Sequence, residues 1–73
     1  MTINEYQRLA YVTTNKKLST EMTLINSALG LGGESGEVED IVKKVTCQEH
    51  PLTDEVREHL IEELGDVCWY LAL

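Results

Sequence analysis

The sequence predicts an all-α fold, a bundle of about three antiparallel helices. Apolar residues recur at helical spacing in three segments, and the alternation of apolar and polar residues that is typical of strands is absent. The chain has 73 residues and therefore forms one domain at most. Because so short a chain buries little apolar surface, we expect its core to be completed by a partner chain or a metal ion.

The first helix is expected to begin at Thr2 and to fade near Thr14 and Asn15. Thr2 and Glu5 have the spacing of a capping box, in which the hydroxyl and the carboxylate each satisfy a free backbone N–H. The apolar residues that recur at helical spacing are expected to form its buried face. Its members are Ile3, Tyr6, Leu9 and Ala10, with Val12 or Thr13.

The second helix is expected to begin near Ser19 or Thr20 and to end at about Thr46. Its apolar stripe has a 4-3-4-3 spacing, which is typical of a helix that packs on other helices. The stripe consists of Leu24, Ala28, Leu31, Ser35, Val38, Val42 and Val45. Several glycines interrupt it, each costing about 1 kcal/mol relative to alanine. Because the stripe keeps its phase across them, we predict one continuous helix in which glycine lets a neighbour approach closely.

The third helix is expected to follow the connection at Pro51, to be capped by Thr53 and to run to the end of the chain. Its stripe consists of Val56, Leu60, Leu64, Val67 and Leu71, flanked by Ile61 and Cys68. Trp69 lies opposite this stripe, which predicts an exposed ring that contacts a second subunit.

Charge and composition exclude several classes of function. The net charge of −7 argues against nonspecific binding to nucleic acid or to anionic lipid, because both need a basic surface. The N-terminal residues lack the pattern of a signal peptide, and no run is long enough to span a bilayer, so a cytoplasmic protein is expected. Cys47 and Cys68 form no disulfide framework and are expected to be free thiols.

Two acidic motifs indicate chemistry. Glu34 and Glu37 form an ExxE on the second helix, and Glu63 and Asp66 form an ExxD on the third. Each pair lies about 60° and 120° from the centre of its apolar stripe, in the same sense. If the two helices pack through their stripes, the four carboxylates converge and repel one another. Mg²⁺ or Mn²⁺ relieves that repulsion, because both ions prefer oxygen ligands.

Other interpretations of these acids remain open. Each motif alone is common on solvated helix surfaces, so the chain is alternatively a non-enzymatic acidic helical oligomerisation module. A di-iron type of carboxylate bundle is disfavoured because the sequence has no Glu-x-x-His motif. Lys44, on the same face as Glu37, either reaches a phosphate or pairs with Asp40. Tyr70 is a candidate for lining a base pocket. His59 lies one turn from Glu63 and is expected to be partly exposed rather than a ligand.

Both acidic motifs lie in longer strings that resemble the signatures of MazG-like nucleotide pyrophosphohydrolases. The strings are GLGGESGEVED at residues 30–40 and EELGDVCWYL at residues 62–71. The resemblance implies an all-α fold completed by oligomerisation as a homodimer or homotetramer. It implies hydrolysis of nucleoside triphosphates to monophosphate and pyrophosphate. It also implies that the ions are held by Glu34, Glu37, Glu63 and Asp66, which would be the catalytic residues.

Members of that family continue beyond the ExxD helix into at least one further helix, whose polar and basic residues help to hold the nucleotide. The resemblance therefore implies that residues 1–73 are a single MazG-like domain whose C-terminal helix or helices are missing. It leaves a catalytically inactive remnant as an alternative to an active enzyme.

Overall fold

The computed structural model describes residues 1–73 and contains three α-helices and no strand, so the predicted all-α class is confirmed. The helices are α1 (Ile3–Val12), α2 (Thr20–Cys47) and α3 (Asp54–Ala72). The long helices α2 and α3 are antiparallel, since Gly30 lies against Tyr70 whereas Val45 and Val56 line one cleft at the opposite end. The short helix α1 packs on α3 and not on α2, which makes α3 the central helix.

The predicted N-caps of α1 and α3 are confirmed, and Ser19, near which α2 was expected to begin, caps that helix. Thr2, Ser19 and Thr53 each accept a hydrogen bond from the backbone N–H three residues on, at 3.1, 3.1 and 3.2 Å. The capping box is only half formed, because the Glu5 carboxylate accepts from the Thr2 hydroxyl instead of capping a backbone N–H. α1 ends at Val12, before the predicted Thr14, because the N–H and hydroxyl of Thr13 both donate to the Ala10 carbonyl.

The second helix is continuous through its glycines, as predicted. A Cβ on Gly30 would overlap the ring of Tyr70, so this glycine allows α3 to approach α2 closely. The other glycines of the segment face open space: Gly32, Gly33 and Gly36. Close approach is therefore a property of one position and not of the whole glycine-rich segment.

The packed sides of α2 and α3 keep the predicted 4-3 spacing but are rotated by about 40–50° toward the acidic motifs, because alternate positions of each stripe move back by one residue. The buried and half-buried positions include Ser27, Leu31, Glu34, Val38, Ile41 and Val45 on α2, and Val56, Leu60, Glu63, Val67 and Tyr70 on α3. Apolar residues predicted to be packed are instead exposed: Leu24, Ala28, Val42, Ile61, Leu64, Cys68 and Leu71. Apolar residues also lie beside the predicted stripes, as Ile41 does beside Val42, and the helices meet on the side where Gly30 admits Tyr70.

Two side-chain hydrogen bonds join the N-terminal segment to α3. Trp69 Nε1 donates to Thr13 Oγ1 at 2.9 Å, and Gln7 Nε2 donates to the Ala72 carbonyl at 2.8 Å. Trp69 is therefore half-buried against its own chain, and its predicted exposure was wrong. Ala10 is the only predicted face residue of α1 that is buried, because the helix lies across one end of α3. Ile3 and Leu9 are exposed.

Little of the chain is buried. Ala10, Ser27 and Glu63 are the only buried residues, and the chain exposes 5620 Å². A folded monomer of 73 residues is expected to expose about 4,500 Å². The chain thus exposes more surface than is expected for a folded monomer of this length. Both cysteines are free, and none of the helices combines the length and apolar character needed to cross a lipid bilayer.

Candidate metal centre

Three of the four predicted carboxylates meet between α2 and α3. Glu34 and Glu37 lie one turn apart on α2, and Glu63 reaches them from the packed side of α3. One carboxylate oxygen from each residue lies within 4.8 Å of the others. This convergence follows from the antiparallel packing, since the acidic motifs of the two helices fall at the same level of the contact.

The three carboxylates differ in how far they are exposed to solvent. Glu63 is 8% exposed, Glu34 is half-buried and Glu37 is exposed. Oε2 of Glu34 and Oε2 of Glu63 are buried and have no hydrogen-bond donor. Buried acceptors without a partner are rare, because leaving one unsatisfied costs about 1–3 kcal/mol. Two such oxygens in one acidic group fit a cation, and the all-oxygen donor set fits a hard ion such as Mg²⁺.

Electrostatics of the group also favour a positive partner. Glu34 and then Glu37 raise the pKa of Glu63 to about 8, because a protonated Glu63 can share a hydrogen bond with them. Burial and charge repulsion within the group act in the same direction. Glu63 therefore holds a proton at neutral pH when no cation is bound. A divalent ion would replace that proton and favour the ionised carboxylate.

The fourth predicted ligand, Asp66, lies outside the group of three carboxylates. Its side chain is exposed on α3, one turn beyond Glu63. The sequence placed both motifs at equal offsets from their stripes. The observed contact is rotated, which brings Glu63 into the seam, the line of contact between α2 and α3, and leaves Asp66 at the edge of this seam. A metal-binding role for Asp66 stays a prediction.

A cleft of about 670 Å³ opens beside Glu37. Its walls come from the second half of α2, the connection and the first half of α3; they include Gly33, Gly36, Lys44, His50, Val56 and His59. Glycines at this wall leave space that side chains would otherwise fill. The cleft therefore gives a ligand access to the exposed end of the three carboxylates.

Lys44 lies in this cleft and pairs with Asp40. Its Nζ is 2.8 Å from Asp40 Oδ2, and Lys43 approaches the same carboxylate at 3.6 Å. The hydrogen bond from Lys44 lowers the pKa of Asp40. Both side chains are about half exposed, so the pair contributes little stability and Lys44 remains free to turn toward a ligand.

Tyr70 is positioned by packing. Its ring lies on Gly30 and makes an edge-to-face contact with Trp69 at 5.0 Å between ring centroids. It does not line the cleft beside Glu37. The structure thus gives Tyr70 a role in the helix contact, and its predicted contact with a nucleotide base stays a prediction.

One polar contact of the site joins two residues that the sequence placed one helical turn apart without giving their proximity a role. His59 Nε2 lies 3.1 Å from Glu63 Oε1. The two residues are four positions apart on α3, a spacing at which helix side chains meet, so the signal was present. It was not used because Glu63 was expected at the edge of the packed stripe and not inside it.

The chain is similar to a bacteriophage protein whose name does not state an activity. The chain is 47% identical over 45 residues to the Gene 37 protein of Mycobacterium phage L5. The match covers 60% of this chain and 40% of the phage protein, so the chain matches well under half of that relative's length. No family model and no solved structure matches the chain.

Proposed function

We propose that this protein is a Mg²⁺-dependent nucleoside triphosphate pyrophosphohydrolase that converts a ribo- or deoxyribonucleoside triphosphate to the monophosphate and pyrophosphate. One observation carries the proposal: three carboxylates lie within 4.8 Å between two packed helices, and two of their oxygens are buried without a donor. The resemblance of the two acidic strings to MazG-like enzymes supplies the substrate class.

Glu34, Glu37 and Glu63 would hold the ion, with Asp66 as a further ligand at the edge of the seam. Carboxylate oxygens suit Mg²⁺, and Mn²⁺ is the expected substitute. When bound, the ion would neutralise charge on the triphosphate and help to activate the attacking water.

The chain's own residues would position the substrate and move a proton. Glu37 is exposed toward the cleft, where a triphosphate can approach, and Lys44 would contact a phosphate from the cleft wall. One carboxylate of the group would accept the proton of the attacking water. Attack on a phosphorus atom then breaks one P–O bond of the anhydride and releases pyrophosphate. Tyr70 is kept as a proposed contact to the nucleotide.

The proposed assembly is a homodimer or homotetramer. The exposed area exceeds the expectation for a folded monomer by about 1,100 Å². A stable dimer buries about 800 Å² on each partner. Apolar side chains suited to such a contact are exposed on both long helices: Leu24, Ala28, Val42, Ile61, Leu64 and Leu71. Light scattering after size exclusion tests this assembly, and a monomer at every concentration contradicts it.

The exposed apolar surface also favours the alternative of a non-enzymatic oligomerisation module. Such a module, unlike the enzyme, predicts that Mg²⁺ leaves the melting temperature unchanged. An inactive remnant of the enzyme predicts stabilisation by Mg²⁺ without turnover.

The test of the proposal is to incubate the purified chain with a panel of nucleoside triphosphates, with and without Mg²⁺, and to separate the products by chromatography. Glu37→Ala removes one proposed ligand. Glu39→Ala is a matched control, because Glu39 is an exposed glutamate of α2 outside the acidic group. We expect monophosphate and pyrophosphate only with Mg²⁺, lost in Glu37→Ala and kept in Glu39→Ala. Equal turnover by both variants contradicts the proposed site.

A further inference from the structure

His59 is the one hydrogen-bond partner from outside the acidic group that the most buried carboxylate of that group has. Its Nε2 lies 3.1 Å from Glu63 Oε1. Glu63 Oε2, the other oxygen of that carboxylate, is buried and has no donor. The two oxygens of Glu63 therefore differ: one is bound to an imidazole, and the other is left for a different partner.

The hydrogen bond crosses from the seam to the surface. The Glu63 side chain is 10% exposed, whereas that of His59 is 57% exposed. Because the two residues lie on successive turns of α3, the helix fixes their spacing. The last torsion angle of a glutamate has a broad, two-fold preference, so the side chain by itself defines the plane of its carboxylate only weakly. The imidazole anchors one oxygen and thereby defines this plane and the direction of the other oxygen.

His59 is not itself a member of the metal-binding group. The three glutamates have oxygens within 4.8 Å of one another, and no His59 nitrogen joins them at that distance. An ion that contacts all three glutamates would thus meet His59 only through Glu63. The imidazole is placed to act on the ligand and not on the ion.

An ordinary surface pair on the same fold shows the difference. Asp40 and Lys44 also lie four residues apart, and both side chains are about half exposed. As an exposed ion pair, it contributes only a little to helix stability. In the His59 pair the acceptor is buried and belongs to a group of three carboxylates, so the orientation of its oxygens has a consequence for a bound ion.

We infer that His59 is a positioning residue, which donates a hydrogen bond from Nε2 to Glu63 Oε1 and so presents Glu63 Oε2 to a divalent cation. This inference rests on the proposed function only in requiring that the three glutamates bind such an ion. Hydrogen-bond partners of ligating carboxylates commonly change metal affinity by about 10–100-fold when they are removed.

The experiment titrates the protein with Mn²⁺ and follows the free ion by electron paramagnetic resonance. His59→Leu removes the donor while keeping bulk, and His59→Gln returns an N–H donor to a similar position. His50→Leu is the matched control, because His50 lines the same cleft but makes no side-chain hydrogen bond to the three glutamates. Since His59 is largely exposed, these variants are expected to fold.

We expect His59→Leu to weaken Mn²⁺ binding by about 10–100-fold. His59→Gln should recover most of the affinity, and His50→Leu should bind as the unchanged protein does. Unaltered affinity in His59→Leu, or no recovery in His59→Gln, would overturn the role of His59 while leaving the metal site in place. Absence of Mn²⁺ binding by the unchanged protein would overturn both the role of His59 and the proposed function.

Discussion

Two levels of the contact between α2 and α3 are built in opposite ways. At the packing level, Gly30 admits the ring of Tyr70, and the helices approach closely. One turn further along α2, at the acid level, Glu34, Glu37 and Glu63 face one another, and two of their oxygens lack donors. The first level stabilises the fold. The second level is expected to cost stability in the absence of a cation, which agrees with the proposed metal site.

The largest expected effect on stability and turnover comes from replacing the buried carboxylate of the acid level by an apolar side chain. Glu63→Leu replaces a buried carboxylate by an apolar side chain of similar size, which removes like-charge repulsion and the cost of burying an ionisable group. We expect a higher melting temperature in EDTA, no further rise with Mg²⁺, and turnover lower by at least about a hundredfold, the scale of losing an electrostatic stabiliser.

Calorimetry and product analysis on the same samples measure both effects of Glu63→Leu. Glu62→Leu is the control, because Glu62 is an exposed neighbour outside the group. Destabilisation by Glu63→Leu in EDTA would mean that the acid level already contributes to the stability of the metal-free fold.

The packing level is tested by a pair of alanine substitutions. Gly30→Ala places a Cβ against the Tyr70 ring, and overpacking of this kind costs about 1–3 kcal/mol. Gly32→Ala meets open space, so it should gain about 1 kcal/mol of helix propensity. Urea unfolding compares the two variants. Equal stabilisation by both would show that Tyr70 yields at no cost and that the close approach is not essential.

The acid level should also make stability depend on pH. The pKa of Glu63 is raised from an ordinary value of 4.5 to about 8 in the folded chain. The folded state therefore holds a proton that the unfolded state releases, so the stabilisation is complete below 4.5 and is lost as the pH rises through about 8. We expect the melting temperature in EDTA to fall across this window and the fall to be absent with saturating Mg²⁺.

Glu63→Gln separates this effect from the titration of the two histidines, because it removes only the glutamate. Circular dichroism melting curves of the variant should lack the part of the fall that Glu63 causes. The same pH dependence in Glu63→Gln and in the unchanged chain would assign the effect to other groups.

The smallest expected effect lies outside both levels, at the end of α2. Glu49 has a φ of 58°, a left-handed conformation that glycine adopts without strain. Glu49→Gly should stabilise the fold by about 0.5–1 kcal/mol, since relief of strain is partly offset by the greater freedom of glycine in the unfolded chain. Urea unfolding measures the change, and it should leave Mn²⁺ affinity unaltered. A change in Mn²⁺ affinity would mean that the connection is coupled to the acid level.

The sequence by itself determined the local structure of this protein. Periodicity gave the three helices, Thr2, Ser19 and Thr53 gave their starts, and the unbroken phase of the stripe gave a continuous α2. These features depend on contacts within a few residues, which a linear pattern records. The pairing of an ExxE with an ExxD likewise identified three carboxylates that meet in space.

Only the tertiary structure decided which side of each helix is packed. Apolar residues also lie beside each predicted stripe, as Ile41 does beside Val42, so more than one rotation was compatible with the same pattern. The fit of Tyr70 on Gly30 selects one of them. That rotation moves Glu63 into the contact between α2 and α3, leaves Asp66 exposed and places His59 beside a buried carboxylate, because burial and partnerless oxygens arise only when two helices meet.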